Sequence, residues 1–590
     1  MKCPVQSKVK LAFELNNLSK SEYTGCLADR MKINADKRLL ELDLDMILEP
    51  FKSRPGKQWW AGEHVGKFLH AATLSWRYNN DERILARMVS VANNLIDTQL
   101  PNGYLGTYLE KDQFAQGDGL GWDAPVWDVW THKYNLIGLL TYFEATKSEP
   151  ALNAAKRAAD LMHDLFVVQN RSLRLASAHM GMAATSILEP IAVLYRLTGE
   201  RHYLDFCHVI IDAWEDESDP ETWMYEDGCR LLNSLLEHGN VFKTANRKAY
   251  EMLSNLVGLL EFYRIEPDER YYIACINAWT DITTKRLYIT GTTSYFEQFT
   301  PDNRLPPGKA VGEGCVTVTW LQFNHHLLEL TGEVKYADEL ERTMYNALLA
   351  AQSPINGEVS YFSPLKGKKS YNEHDLKMDP AISCCSSSIP RGIAMIPTFV
   401  SGLLNDKPTL LQYLPGSHVI NYLINNEQNE ILLSISGNYP KSGNFEIALK
   451  LTKTSKFPLV LRVPEWAEYF AATIDNIQYE ANGNRLIEIN RQWKSGDIIT
   501  VKIPLVIRNI PDGDKTTNCT AFVRGPQVLA EDTLVEREMG IPKKAWIGDS
   551  IYTICAKQNG KERKFLLVPF ADAGQHKEEY QVIHEGIERN

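Results

Sequence analysis

The feature that most constrains this chain is a unit that recurs between about residues 60 and 350. It consists of an apolar helix, a short polar turn, and a second helix opening near a tyrosine or leucine. The turns read LSWRYNNDERIL, YFEATKSEPAL, LYRLTGERHYL, FYRIEPDERYY and LLELTGEVKYA. The segments before them, such as HKYNLIGLLTYFEAT, and after them, such as ALNAAKRAADLMHDLF, carry apolar residues at helical spacing. Repeated helix pairs bury their apolar faces by stacking on a shared core. Five pairs are visible, and a sixth can be assembled from the segment around 26–50 and the late IPRGIAMIPTFVSGLL. Six hairpins closing on themselves make an (α/α)6 barrel; an open solenoid is the alternative. Loops such as KSRPGKQWWAGEH, GDGLGWDAPVWDVWTHK and TPDNRLPPGKAVGEG are long and rich in Trp, Gly, Pro and His. They favour the closed barrel with a site at one mouth.

After about residue 405 the period changes. ILLSISGNYPKSGNFEIALKLTK, PLVLRVPEWA, NRLIEINRQWKSGDIITVKIPL and CTAFVRGPQVLA alternate apolar and polar residues between Gly, Asn and Pro turns. This is the pattern of antiparallel β structure, a sandwich followed by a second, smaller one. The expected chain is mainly α with β: an (α/α)6 barrel catalytic domain over 15–400, a β-sandwich over 401–510 and a small β-rich domain over 511–590. Residues 1–14, which overlap SKVKLAFELN, are expected to add a strand to a β domain, and the β domains read as packing modules.

A length of 590 residues exceeds what one compact core accommodates, in keeping with several domains. The net charge of −11 argues against nucleic acid or an anionic membrane surface as the main partner. No apolar run approaches the ~18–20 residues of a membrane span. The opening MKCPVQSKVKLAFELNN lacks the apolar stretch of a secretory signal, so a bacterial cytoplasmic location is expected, or a periplasmic one had a leader been trimmed. The scattered cysteines Cys3, Cys26, Cys207, Cys229, Cys275, Cys519 and Cys555 read as small buried hydrophobes, not as a disulfide framework.

Three stretches of the helical half bear reactive groups: TGTTSYFEQF with Glu297, GEGCVTVTW with Glu313 and Cys315, and ISCCSSSIP with the adjacent Cys384 and Cys385. Residues at i, i+2 in an extended segment point the same way, so Glu313 and Cys315 could face one centre. One carboxylate and three thiolates would make a tetrahedral site whose softness favours Zn²⁺. Neighbouring cysteines rarely bridge each other, and buried packing is the alternative explanation for the pair.

GEGCVTVTW and ISCCSSSIPRG, set among these helix pairs, are similar to the signature of glycoside hydrolase family 127, the cysteine-dependent β-L-arabinofuranosidase-like enzymes. YFSPL with Tyr361, HKYNLIGLL with His132 and AGEHVGKFLHA with His64 fit the same resemblance, which covers most of residues 20–400. The resemblance implies an (α/α)6 barrel, appended β-sandwiches and a zinc ion held by Glu313, Cys315, Cys384 and Cys385. It further implies Cys384 as nucleophile and Glu297 as general acid/base of a retaining exo-glycosidase. Such a pair flanks the scissile bond at roughly 5–5.5 Å. Candidate sugar-binding residues are Tyr361, His132, His64, Glu63, Trp60, Trp122 and Trp127. The partner implied is an oligosaccharide from plant cell-wall side chains such as pectin, with a homodimer as the candidate assembly.

Two positions depart from the family pattern. Ala184 or Thr185 stands where arabinofuranosidase members carry a sugar-contacting histidine, and Lys248 where they carry another. Lys248 with the adjacent Arg247 suits a negative charge. A β-L-arabinofuranose-like sugar is therefore the first expectation. An acidic branched furanose, aceric acid (3-C-carboxy-5-deoxy-L-xylose) of rhamnogalacturonan-II, is the second, and Lys248 and Arg247 pointing away from the Cys384 cavity would exclude it. Two other classes remain: a non-catalytic, zinc-stabilised carbohydrate-binding protein, and a different (α/α)6 enzyme such as an unsaturated glucuronyl hydrolase or a sugar epimerase.

Overall fold

The computed structural model of the protein describes residues 4–15, 18–117, 121–215, 230–371, 383–424, 427–537, 548 and 550–588. Cys3 and Cys229 lie outside them, and the eight described cysteines are unbridged.

The recurrent turns show why the helices come in pairs. In four of them the first helix ends on a left-handed residue, Asn80 (φ 52°), Lys147 (61°), Gly199 (73°) or Gly332 (68°). The amide of that residue bonds to the carbonyl four residues earlier, which stops the helix without leaving the carbonyl orphaned. The next residue, Asp81, Ser148, Glu200 or Glu333, is extended and takes the N-cap position of the returning helix, where the Asp81 side chain also accepts from the Arg83 amide.

The helices that precede the turns are buried on nearly all sides. They are Glu63–Asn79, Asp128–Thr146, Leu188–Thr198, Ala249–Tyr263 and Gly314–Thr331, joined by Cys384–Met395. Each packs on the next, and the last returns to the first, so the ring closes into an (α/α)6 barrel and the solenoid is excluded. The helices after the turns form the outer layer and bury a single stripe, such as Ile84, Met88, Val91 and Leu95 on Glu82–Asp97. The sixth outer member comes from the start of the chain: Cys26–Ile33, continued to Leu39, lies against Cys384–Met395. Gly66 and Gly138 let the first two inner helices touch backbone to backbone. A Cβ on Gly66 would fall 1.9 Å from the carbonyl oxygen of Tyr134.

Beyond the barrel, a five-stranded and a seven-stranded sheet pack face to face. Tyr422 of the larger meets Phe457 of the smaller at 5.0 Å between rings. Pairing is antiparallel except between Lys407–Leu410 and Ser455–Val463, which run parallel. Phe13–Leu15 adds an edge strand beside Ser401–Leu404, and Glu22–Tyr23 adds another beside Gly416–Ile424. Upstream of that first strand the chain crosses one end of the barrel. Amides of Val5, Lys8 and Ala12 bond to the carbonyls of Arg196, Arg264 and Glu329.

The last segment differs from the expected second sandwich. Among the described residues it forms one eight-stranded sheet that packs on the barrel, because the face a second sheet would cover is taken by Tyr288, Leu305, Val311 and Leu365. This sheet recruits Lys366–Gly367 from a barrel loop, paired with Tyr580–Gln581. The Tyr580 hydroxyl donates to the Pro364 carbonyl at 2.6 Å, and the buried Lys369 ammonium donates to the Phe570 and Ala571 carbonyls at 3.1 and 3.2 Å. Among the described residues no helix is long and apolar enough to cross a membrane.

Candidate active site and metal centre

The inner helices run in one direction, so their N-terminal ends gather at one mouth. Glu63, Asp128 and Cys384 are the first residues of their helices, and Glu313 is the N-cap of its own. Exposed N–H groups and the helix dipole favour anions there, thiolates included. Ser383 caps the Cys384 helix, its hydroxyl accepting from the Ser386 amide at 3.2 Å. Glu313 and Cys315 do not lie in the extended segment that their spacing suggested. They occupy a cap and the second residue of a helix, and the turn of the cap brings both to one side.

The four groups meet. Cys384 Sγ is 3.8 Å from Glu313 Oε1 and 3.8 Å from Cys385 Sγ, which lies 3.6 Å from Cys315 Sγ and 4.0 Å from Glu313 Oε1. One ligand atom from each falls within 4.8 Å of all the others, the one such group of metal-ligand type among the described residues. Their proximity splits their proton affinities, three up and one down. Burial, then the charges of Glu297 and Cys384, push the Glu313 carboxyl well above its usual range. Burial and the other two sulfurs do the same to Cys385. For Cys384 the hydrogen bond with Cys315 comes first and burial contributes. Cys315 alone goes down, to about 6: burial opposes this, but hydrogen bonds from Cys384 and Cys385 and the Lys67 ammonium prevail. Glu313 Oε2 is buried without a partner. Three sulfurs and a carboxylate that cannot all ionise together fit a thiophilic divalent cation, which would satisfy all four.

Beneath the cluster sits a buried cation. Lys67 pairs with Glu63 at 2.9 Å, lies 3.4 Å from the Cys384 carbonyl and stands over the Tyr134 ring at 4.6 Å. Burial works against its charge, but Glu63 and Cys315 hold the proton on.

A cavity of about 470 Å³ opens beside Cys384. The Tyr361 hydroxyl links the cysteine to Glu297, 3.3 Å from Cys384 Sγ and donating to Glu297 Oε1 at 2.6 Å. Lys248 pairs with the other Glu297 oxygen. Burial would raise the Glu297 carboxyl, but Lys248 and the Tyr361 hydrogen bond bring it down to about 2. Glu63, whose Oε2 accepts from Trp130 Nε1 at 2.5 Å, also lines the cavity, with Trp60, Trp122 and Trp127. Trp122 and Phe296, 52% and 58% exposed, mark the rim. Backbone strain concentrates here: His179, Arg247, Ser294, Phe296 and Glu297 all have φ between 48° and 84°.

Three expected sugar contacts are not brought to the cavity. His132 donates from Nδ1 to the Asp128 carbonyl (2.7 Å) and accepts at Nε2 from the Leu105 amide (3.0 Å), so backbone saturates its ring. His64 turns to the Ser387 hydroxyl at 2.7 Å and is buried behind the site. Arg247 lies over the Phe242 ring at 4.3 Å instead of entering with Lys248. Ala184 and Thr185 are buried away from the cavity, with the Thr185 hydroxyl on Asn255. In their place the cavity gains His179, Tyr250, Glu251 and Trp130. Glu251 follows Lys248 by three residues, a spacing that shares a helix face; His179 carries no comparable signal. Burial keeps His179 neutral and raises Glu251 to about 7, with Lys248 opposing the latter.

Residues 15–398 match the family model described as the β-L-arabinofuranosidase GH127 catalytic domain, and residues 419–505 match the GH127 middle domain. The chain belongs to glycoside hydrolase family 127. Among relatives, it is 23% identical over 440 residues to the non-reducing end β-L-arabinofuranosidase of Bifidobacterium longum subsp. longum. That match covers 68% of this chain and 64% of the relative, so the chain spans just under two thirds of that protein's length. Among solved structures, the GH127 β-L-arabinofuranosidase of Geobacillus stearothermophilus T6 superposes with a TM-score of 0.74 at 18% identity, over 96% of this chain and 99% of that one. A second GH127 β-arabinofuranosidase gives 0.75 at 19% identity, over 98% of each chain. At these identities the structures speak for a shared family 127 fold.

Proposed function

We propose that this family 127 protein is a retaining exo-glycoside hydrolase that releases a terminal β-L-arabinofuranose-like sugar, with Cys384 as nucleophile and Glu297 as general acid/base. The observation that carries this reading is the Tyr361 hydroxyl, in contact with both Cys384 Sγ and Glu297 inside one cavity. A sugar lodged there has sulfur on one side of its anomeric carbon and a carboxyl on the other. Glu313, Cys315, Cys384 and Cys385 are the residues to hold a zinc ion. Such an ion would keep bound sulfur deprotonated at neutral pH, where a free thiol is mostly protonated.

In the first half-reaction Cys384 Sγ bonds to the anomeric carbon as the glycosidic C–O bond breaks and Glu297 gives its proton to the departing oxygen. Paired with Lys248, Glu297 is ionised in the free protein, so it takes a proton from solvent as the substrate binds. A sugar oxygen displacing Lys248 removes the strongest opponent of burial, and the proton affinity of the carboxylate rises against the remaining Tyr361 hydrogen bond. In the second half-reaction Glu297 takes a proton from water, the water oxygen bonds to the anomeric carbon, and the C–S bond breaks with the thiolate leaving. Two inversions give net retention. The exposed Trp122 and Phe296 offer flat faces to the leaving group at the rim.

The acidic furanose has one observation in its favour, the presence of Lys248 in the cavity. Against it, Lys248 is already paired with Glu297 and Arg247 faces Phe242. A non-catalytic carbohydrate-binding role would not require a cavity open to Cys384. The deciding experiment is a panel of aryl β-L-arabinofuranosides and pectin side-chain oligosaccharides, assayed with wild type and Cys384→Ser. Turnover of the arabinofuranosides by wild type alone supports the reading. Turnover that survives the substitution overturns the nucleophile, and release of the acidic sugar alone overturns the substrate.

A further inference from the structure

His179 and Glu251 face each other across the cavity wall with a gap between them. The Lys248 amide donates to Asn246 Oδ1 at 3.2 Å, which fixes the orientation of that amide side chain and turns Asn246 Nδ2 to His179 Nδ1 at 3.3 Å. Nδ1 therefore accepts, and the hydrogen of the neutral imidazole sits on Nε2. Nε2 points at Glu251 Oε1 from 3.7 Å, too far for a hydrogen bond. Glu251 Oε2 is buried with no partner. The ring is held there by cost: His179 and Met180 both adopt left-handed φ, 56° and 59°, and the ring packs edge-on against Trp127 at 5.6 Å. A buried donor and a buried carboxylate separated by that gap have the spacing that one hydroxyl group completes.

We propose that His179 and Glu251 form a hydroxyl clamp for the sugar. One ring hydroxyl accepts from His179 Nε2–H and donates to the Glu251 carboxylate. This rests on the hydrolase reading and sharpens it: the sugar carries a free hydroxyl where it meets this wall, and a carboxylate there is repelled by Glu251. The clamp lies on the inner helix Ala249–Tyr263 and the turn before Met182–Thr185, apart from the metal-ligand cluster.

The test compares wild type, Glu251→Gln and His179→Ala on an aryl β-L-arabinofuranoside and its 2-, 3- and 5-deoxy analogues. On the parent, each variant is expected to lower kcat/KM by roughly 10- to 100-fold, mostly through KM. One deoxy analogue should lose as much with wild type and then lose little more with either variant. Equal losses on the parent and on every analogue would mean a structural role and overturn the clamp. Unchanged melting temperature and metal content certify the variants; if Glu251→Gln fails to fold, His179→Ala decides. Should wild type turn over no arabinofuranoside, the hydrolase reading falls by itself. The clamp is then judged by L-arabinose quenching of the cavity tryptophans: weaker binding by the variants supports it, and equal dissociation constants overturn it.

Discussion

The two ends of the barrel carry comparable numbers of buried charges and use them in opposite ways. At the mouth, helix N-termini gather Glu63, Glu313 and three cysteines beside the Glu297 turn. Within the metal-ligand cluster Glu313, Cys384 and Cys385 are held protonated while Cys315 is not. At the floor, helix C-termini place Glu261 and Glu329 among Arg196 and Arg264. Arg264 pairs with both carboxylates, at 3.2 and 2.5 Å, and Arg196 with Glu261. The carbonyls there are taken by the amides of Val5, Lys8 and Ala12. Charges that complete one another close the barrel. At the mouth Glu63 and Glu297 have their lysines, but the crowded acids of the Glu313 and cysteine cluster are relieved only by a cation, which is what a reactive site requires.

The largest effect that would test this contrast is at the mouth. Cys384→Ala should lower kcat/KM by on the order of 10³-fold or more while leaving the melting temperature close to wild type. At the floor the outcome reverses. Arg264→Met leaves two buried carboxylates facing each other, a loss of roughly 3–5 kcal/mol, so thermal unfolding should begin at clearly lower temperature. Its kcat/KM, measured well below that transition, should stay near wild type; a large drop would mean that the ends are coupled.

Lys248→Met probes the ion pair that holds the acid/base candidate at the mouth. With burial opposed chiefly by the Tyr361 hydrogen bond, the Glu297 carboxyl rises from about 2, by roughly 1–3 pH units. A general acid must be protonated, so the alkaline limb of the kcat/KM profile should move to higher pH, and an unmoved limb would separate Lys248 from Glu297. The smallest effect concerns acid at the floor. Burial favours protonation of Glu329, but Arg264, His325 and His326 hold it at about 2. Its contribution is thus complete above the ordinary carboxyl range, near pH 4.5, and is lost as pH falls toward 2. The melting-temperature gap between wild type and Glu329→Gln should narrow over that interval.

Much of the barrel was legible because its turns have strict local requirements. TGE, for instance, supplies a glycine for the left-handed stop and an extended residue for the next cap. The closing pair was only partly legible, since Cys26–Leu39 and Cys384–Met395 meet across most of the chain and no local signal marks the contact. The three cysteines stood out as scarce reactive residues and Glu313 by its spacing from Cys315, the family resemblance joined the four into one set, and the structure brings them together. His132 and His64 did not declare their direction. Inner helices are apolar on every side, so periodicity says nothing about which face looks into the cavity. His179 was illegible for another reason: a left-handed turn aims it, and its first two residues, His179 and Met180, are not the glycines that such a turn announces.

The sheet that borrows Lys366–Gly367 has a consequence for how the molecule comes into being. Tyr361 stands five residues before that borrowed strand, and its partner strand, Tyr580–Gln581, lies near the other end of the described chain. During synthesis from the N-terminus, the ring cannot close before Cys384–Met395 emerges, nor can the Tyr361 loop be pinned before residue 580 does. The reactive centre is therefore among the last parts of the nascent protein to be assembled, and its thiols gain their company only when nearly everything around them is in place.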